Sequence, residues 1–138
     1  MEIERTGKAK ELFEKGVDLY KKDDYAGAIA KFSEVINLLP NDAESYSLRA
    51  SAYKWLGNWD KAAADYEKDF ELNPKPGAAA IIYFQLGEGF EKTGNKNKAI
   101  EYYQKSVEHG DIDGCSLQGL KRLGAASGNM NSGNVEFR

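Results

Sequence analysis

The chain has one cysteine, Cys115, and one histidine, His109. A single thiol forms no internal disulfide, which favours a reducing compartment. A Cys-His dyad needs hydrogen-bond reach and a third, orienting group. The expected reading is plainer: a helix-end histidine and a small buried cysteine. A surplus of one charge is missing too. Basic and acidic residues number 7 and 9 in 1–42, 5 and 6 in 43–76, and 7 and 7 in 77–138, for a net charge of −3. No segment offers the basic stripe that a phosphate backbone requires, so no nucleic-acid partner is expected. No apolar run approaches the ~20 residues of a membrane span, so no membrane insertion is expected. The opening MEIERTGKAKELF shows no apolar core of a signal peptide, and a cytoplasmic location is expected. Paired carboxylates, a metal cluster and a nucleophile with its base are all absent, so neither enzyme activity nor a cofactor is expected. The stretch DIDG at 111–114 hints at a calcium loop, but His109 and Leu120 stand where that loop needs acids.

What is present is a repeat. The segments EKGVDLYKKDDYAGAIAKFSEVINLLPND (14–42) and LRASAYKWLGNWDKAAADYEKDFELNPKP (48–76) align at an offset of 34. Gly16 meets Ala50, Ala28 meets Ala62, Tyr25 meets Trp59, Phe32 meets Tyr66 and Pro40 meets Pro74. A third copy, LGEGFEKTGNKNKAIEYYQKSVEHGDID (86–113), repeats the roles with Gly87, Phe90, Gly94, Ala99 and Tyr103. Ala62 and Ala99 are 37 apart, which puts a three-residue insertion near Pro74-Lys75-Pro76-Gly77.

Each copy has helical spacing. Leu12, Gly16 and Leu19 recur at three to four, and Ala28, Phe32, Val35 and Ile36 do the same. Between the two runs lies a short polar break: Lys22-Asp23-Asp24, Leu56-Gly57-Asn58 or Thr93-Gly94-Asn95. Gly57 and Gly94 suit a helix end that needs a left-handed residue. A break this short makes the two helices antiparallel neighbours. Small residues at 16, 28, 50, 62, 87 and 99 let them approach closely, and Pro40 and Pro74 end the second helices.

The pattern resembles the tetratricopeptide repeat, or TPR, whose 34-residue motif runs W-x2-L-G-x2-Y, A-x3-F, P. Copy two supplies Tyr46, Arg49, Ala50, Tyr53, Ala62, Tyr66 and Pro74; copy three supplies Tyr83, Leu86, Gly87, Phe90, Ala99 and Tyr103, with Asp111 in place of proline. Copy one supplies Leu12, Lys15, Gly16, Leu19, Ala28, Phe32 and Pro40. Lys15 and Arg49 depart from the usual leucine. The resemblance implies an all-α solenoid of about seven helices in a right-handed superhelix. Its expected parts are a three-repeat domain over 1–124, with repeats at about 9–42, 43–76 and 80–113, and a capping helix at about 112–124. Leu117, Leu120 and Leu123 give that helix its apolar face, and Gln118, Lys121 and Arg122 its polar one. Residues 125–138, rich in Gly, Ser and Asn, are expected to be a flexible tail.

In TPR arrays the first helix of every hairpin lines an inner groove. By resemblance, the groove here collects Phe13, Val17 and Tyr20, then Leu48, Ser51 and Trp55, then Ile81, Gln85 and Glu88. The co-chaperone class that clamps the C-terminal carboxylate of Hsp70 and Hsp90 carries lysine, asparagine and arginine at five groove positions. Those positions here are Phe13, Val17, Leu48, Ile81 and Gln85, and none is a cation. A buried carboxylate needs cations and donors. The expectation is therefore an adaptor whose apolar groove holds a protein segment with apolar anchors. The alternative is a self-associating scaffold, with the groove filled by a second copy or by the tail segment NVEFR, which carries Val135 and Phe137. Packing between hairpins would also account for the apolar strip. Asp69, where the family prefers alanine, has two readings: buried beside Arg49 or the Tyr83 hydroxyl, or left in water by a shift at 77–79.

Overall fold

The computed structural model describes residues 4–110 and 113–125. These residues form helices and no strand: α1 (Gly7–Lys21), α2 (Tyr25–Leu38), α3 (Ala43–Trp55), α4 (Trp59–Leu72), α5 (Pro76–Lys92), α6 (Lys96–Glu108) and α7 (Cys115–Arg122). They fall into two compact units divided between Pro74 and Lys75. The first unit holds the hairpins α1–α2 and α3–α4, with α2 packed on α3; the second holds the hairpin α5–α6, with α7 packed on α6 and α5. Of the expected tail, 125–138, residues 126–138 lie outside the described residues, as does position 112 at the start of the expected cap; Ala125 is described and is buried.

The three polar breaks share one backbone solution. The central residue of each is left-handed: Asp23 at φ 64°, Gly57 at 79° and Gly94 at 85°. The next residue turns its N–H back to a carbonyl five residues earlier, from Asp24 to Leu19, Asn58 to Tyr53 and Asn95 to Phe90. This Schellman closure satisfies carbonyls that the helix end would otherwise leave open. The same residue then caps the following helix. The side chains of Asp24, Asn58 and Asn95 accept from the N–H groups of Gly27, Lys61 and Lys98. One short break thus ends one helix and starts the next.

The small residues admit rings. A Cβ on Gly16 would lie 2.8 Å from the Phe32 ring, and one on Gly87 would lie 2.6 Å from the Tyr103 ring. Ala28, Ala50, Ala62 and Ala99 are wholly buried. The second unit applies the device twice, because a Cβ on Gly119 of α7 would lie 2.8 Å from the other edge of the Tyr103 ring. Nothing in the apolar spacing of 115–123 marked Gly119 as a contact. Two further ties hold α7. Arg122 makes a two-pronged pair with Glu91 at 2.8 and 2.9 Å, and the Tyr103 hydroxyl donates to the same carboxylate at 2.7 Å.

Four details differ from expectation or extend it. The three inserted residues lengthen a helix rather than a loop: α5 begins at Pro76, which needs no N–H at that place, and runs 17 residues. The described part of the cap, α7, starts at Cys115. Cys115 is exposed, not buried, at the first position of α7 after Gly114. His109 is the helix end expected, capping α6 with its ring against Tyr83. Asp69 is fully buried, so the water-exposed reading fails. Arg49 gives its fork to Asp65 at 2.7 and 2.8 Å, with a third bond to Ser33. That pair explains an arginine where the repeat usually has leucine: its carboxylate partner lies one helix away.

Candidate functional site

In the first unit, α1 and α3 carry six of the expected groove residues. Tyr20, Ser51 and Trp55 come together. The hydroxyls of Tyr20 and Ser51 lie 2.5 Å apart, and the Trp55 indole N–H donates to Tyr20 at 3.0 Å. Trp55 is 62% exposed and stacks on Tyr25, with centroids 6.0 Å apart. Beneath them, burial pushes the Tyr66 phenol up to about 12, with a hydrogen bond to Ser51 working the other way. Val17 and Leu48, one helical turn before Tyr20 and Ser51, are half-buried.

Phe13 stands differently. The Arg5 guanidinium lies 3.6 Å above its ring, and the ring edge meets Phe32. Arg5 is held there by Asp42 at 2.6 and 2.9 Å and by Glu44 at 2.7 Å. Burial works against the Arg5 charge, but the bonds to Asp42 and Glu44 outweigh it and raise its pKa. Sequence reasoning missed Arg5 because it precedes the first repeat. This face therefore carries a cation, already paired with two carboxylates, at its Phe13 end.

In the second unit the expected residues Ile81, Gln85 and Glu88 line one cleft of about 420 Å³, within the roughly 300–1,000 Å³ of ligand pockets. Its floor is a single stripe of α5, in which Gly77, Ala80 and Phe84 complete the i, i+3, i+4 pattern. Ile81 is 60% exposed. Ser106 near the end of α6, Gly110 just beyond it, and Asp113 and Cys115 around the start of α7 form the wall. The Ser106 hydroxyl donates to the Ala80 carbonyl at 2.8 Å, which fixes α6 against this floor. Phe84 was legible as Ile81 plus three; the wall was not, because it depends on where α7 docks. Among the described residues no cluster of His, Cys, Asp and Glu is placed to hold a metal, and no helix is long and apolar enough to cross a membrane.

Residues 41–109, half of the chain, match the tetratricopeptide-repeat family. The chain is a TPR protein. It is an interaction module of that family, built from helix hairpins. It is similar to small glutamine-rich tetratricopeptide repeat-containing protein 2 of Mycosarcoma maydis, 34% identical over 76% of this chain and 29% of that one. It is 34% identical to Hsp70-Hsp90 organizing protein 3 of Arabidopsis thaliana over 83% of this chain and 20% of that one. This TPR chain thus spans less than a third of those relatives. Among solved structures, the first TPR of Spaghetti (RPAP3), bound to the HSP90 peptide SRMEEVD, shares the fold. Its TM-score is 0.61 at 23% identity, over 85% of this chain and 90% of that one.

Proposed function

We propose that this TPR chain is a non-catalytic adaptor that holds protein segments by apolar anchors on the first helices of its hairpins. It does not act as a carboxylate clamp. The observation that carries this reading is the exposure of large apolar side chains on α3 and α5, Trp55 at 62% and Ile81 at 60%. Exposed apolar surface of this kind usually marks a partner site. Phe13, Val17, Tyr20, Leu48 and Ser51 stand on α1 and α3 of the first unit, and Gln85 and Glu88 on α5 of the second. Relatives named for organizing Hsp70 and Hsp90 support an adaptor role. Against a clamp, the five clamp positions hold no cation, and Arg5 is already matched by Asp42 and Glu44. Burying one such side chain is worth roughly 1.5–3 kcal/mol. Three anchors then supply roughly 4.5–9 kcal/mol before ordering losses, which corresponds to affinity weaker than about a micromolar.

The test is affinity capture from source cells with wild type, Leu48→Lys and Leu38→Lys. Leu38 is also exposed, at 51%, but ends α2, a second helix. The expected result is a partner kept by wild type and Leu38→Lys and lost by Leu48→Lys, all three equally helical by circular dichroism. Identical captures would make the apolar face packing surface. Loss of dimers instead of a foreign partner, seen by light scattering, would favour the self-associating scaffold.

A further inference from the structure

Among the described residues, the charges that line the cleft of the second unit are of one sign. Glu88 and Asp113 are both exposed around it, and none of the described lining residues is lysine or arginine. Its floor is apolar, with Ala80, Ile81 and Phe84 presented by one stripe of α5. An acidic ligand would bring like charge to the two carboxylates, which works as a rejection device. A ligand with an apolar side chain for the floor and a cation close by would satisfy both features. In an extended segment, residues two apart point to the same side. Building on the adaptor reading, we infer that this cleft takes an extended peptide whose apolar anchor has an arginine or lysine two positions away. The anchor lies on Ile81 and Phe84, and the cation lies between Glu88 and Asp113. The selectivity is opposite in sign to that of a site for an acidic tail such as SRMEEVD, the peptide bound by the Spaghetti domain.

Cys115 provides the assay. It is the only thiol in the chain, it is exposed, and it stands in the cleft wall. An occupied cleft slows its alkylation. Two peptides with blocked ends, GSFSRSG and GSFSESG, differ only in the charge beside the phenylalanine. The expected result is saturable protection of Cys115 by GSFSRSG in the full chain, with GSFSESG roughly tenfold weaker, since exposed ion pairs each contribute a factor of a few. Glu88→Lys should reverse that order. Glu88 is exposed, so the variant keeps its fold, which circular dichroism checks. Asp113→Lys should weaken GSFSRSG independently.

Equal protection by the two peptides, or better protection by GSFSESG or SRMEEVD, overturns the inference and leaves the adaptor reading intact. No protection by any peptide up to about 10 mM, where binding worth roughly 3 kcal/mol registers, also overturns it. The capture by Leu48→Lys then decides the adaptor reading separately, because Leu48 lies in the other unit.

Discussion

Tyr103 lies between two glycines, Gly87 on α5 and Gly119 on α7, and its hydroxyl bonds Glu91. A methyl group on Gly87 would meet ring atoms at 2.6 Å. Overpacking of this kind costs about 1–3 kcal/mol, offset in part by the better helix propensity of alanine. Gly87→Ala should therefore lower stability by about 1–2 kcal/mol in urea denaturation. Gly77→Ala, with open space around it, should be neutral or stabilise by a few tenths. At Arg49 the matter is charge. Asp65 is buried and holds the guanidinium by two bonds. Asp65→Ala strands that cation and should cost roughly 2–3 kcal/mol. Adding Arg49→Leu should recover most of the loss, since leucine is usual at that place in the repeat. A double-mutant cycle measures the difference, and additive losses would remove the pair from the account.

For elements, the interest lies in α7, a helix of eight residues that would not stand alone. Its attachment is titratable. The two-pronged bond from Arg122, helped by the Tyr103 hydroxyl and opposed by partial burial, pulls the Glu91 carboxyl from its usual 4.5 to about 2. A carboxylate depressed on folding contributes stability above its unfolded pKa, and the contribution fades as pH falls through the folded value. The attachment should therefore be complete above about pH 5 and weaken between about pH 4.5 and 2. Amide exchange along Cys115–Arg122 should speed up over that window. Glu91→Gln should show fast exchange at neutral pH and little further change on acidification. An α7 equally protected in both proteins at all pH values would mean that the Gly119–Tyr103 contact alone holds the helix.

At the scale of the whole molecule, net charge is only −3, so long-range attraction has little part and local charge decides selectivity. Binding of GSFSRSG should weaken several-fold between ~0.05 and ~0.5 M salt, because exposed pairs are screened. Binding through apolar anchors on α1 and α3 should change little. Titration calorimetry at the two salt levels distinguishes these modes. Much of the architecture was legible because the repeat states it three times. The small residues, the polar breaks and the prolines recur at matched positions, and each acts within a few residues of itself. The binding faces were legible only as a set of positions. Phe13 carries Arg5 from outside the repeat, and Arg49 found Asp65 sixteen residues on, with no periodic signal to announce either. Cys115 reads as a buried small residue in sequence and is exposed in fact.

The sequence by itself determined the hairpins, their turns and the family, because helix period, capping and left-handed closure are short-range and repeated. Only tertiary structure decided which side chains of α1, α3 and α5 are covered, bonded or open. Phe13 lies under a guanidinium, Trp55 against Tyr25, and Ile81 in an acid-rimmed cleft. Those fates depend on neighbours brought from distant positions by packing, and a periodic pattern holds no record of them.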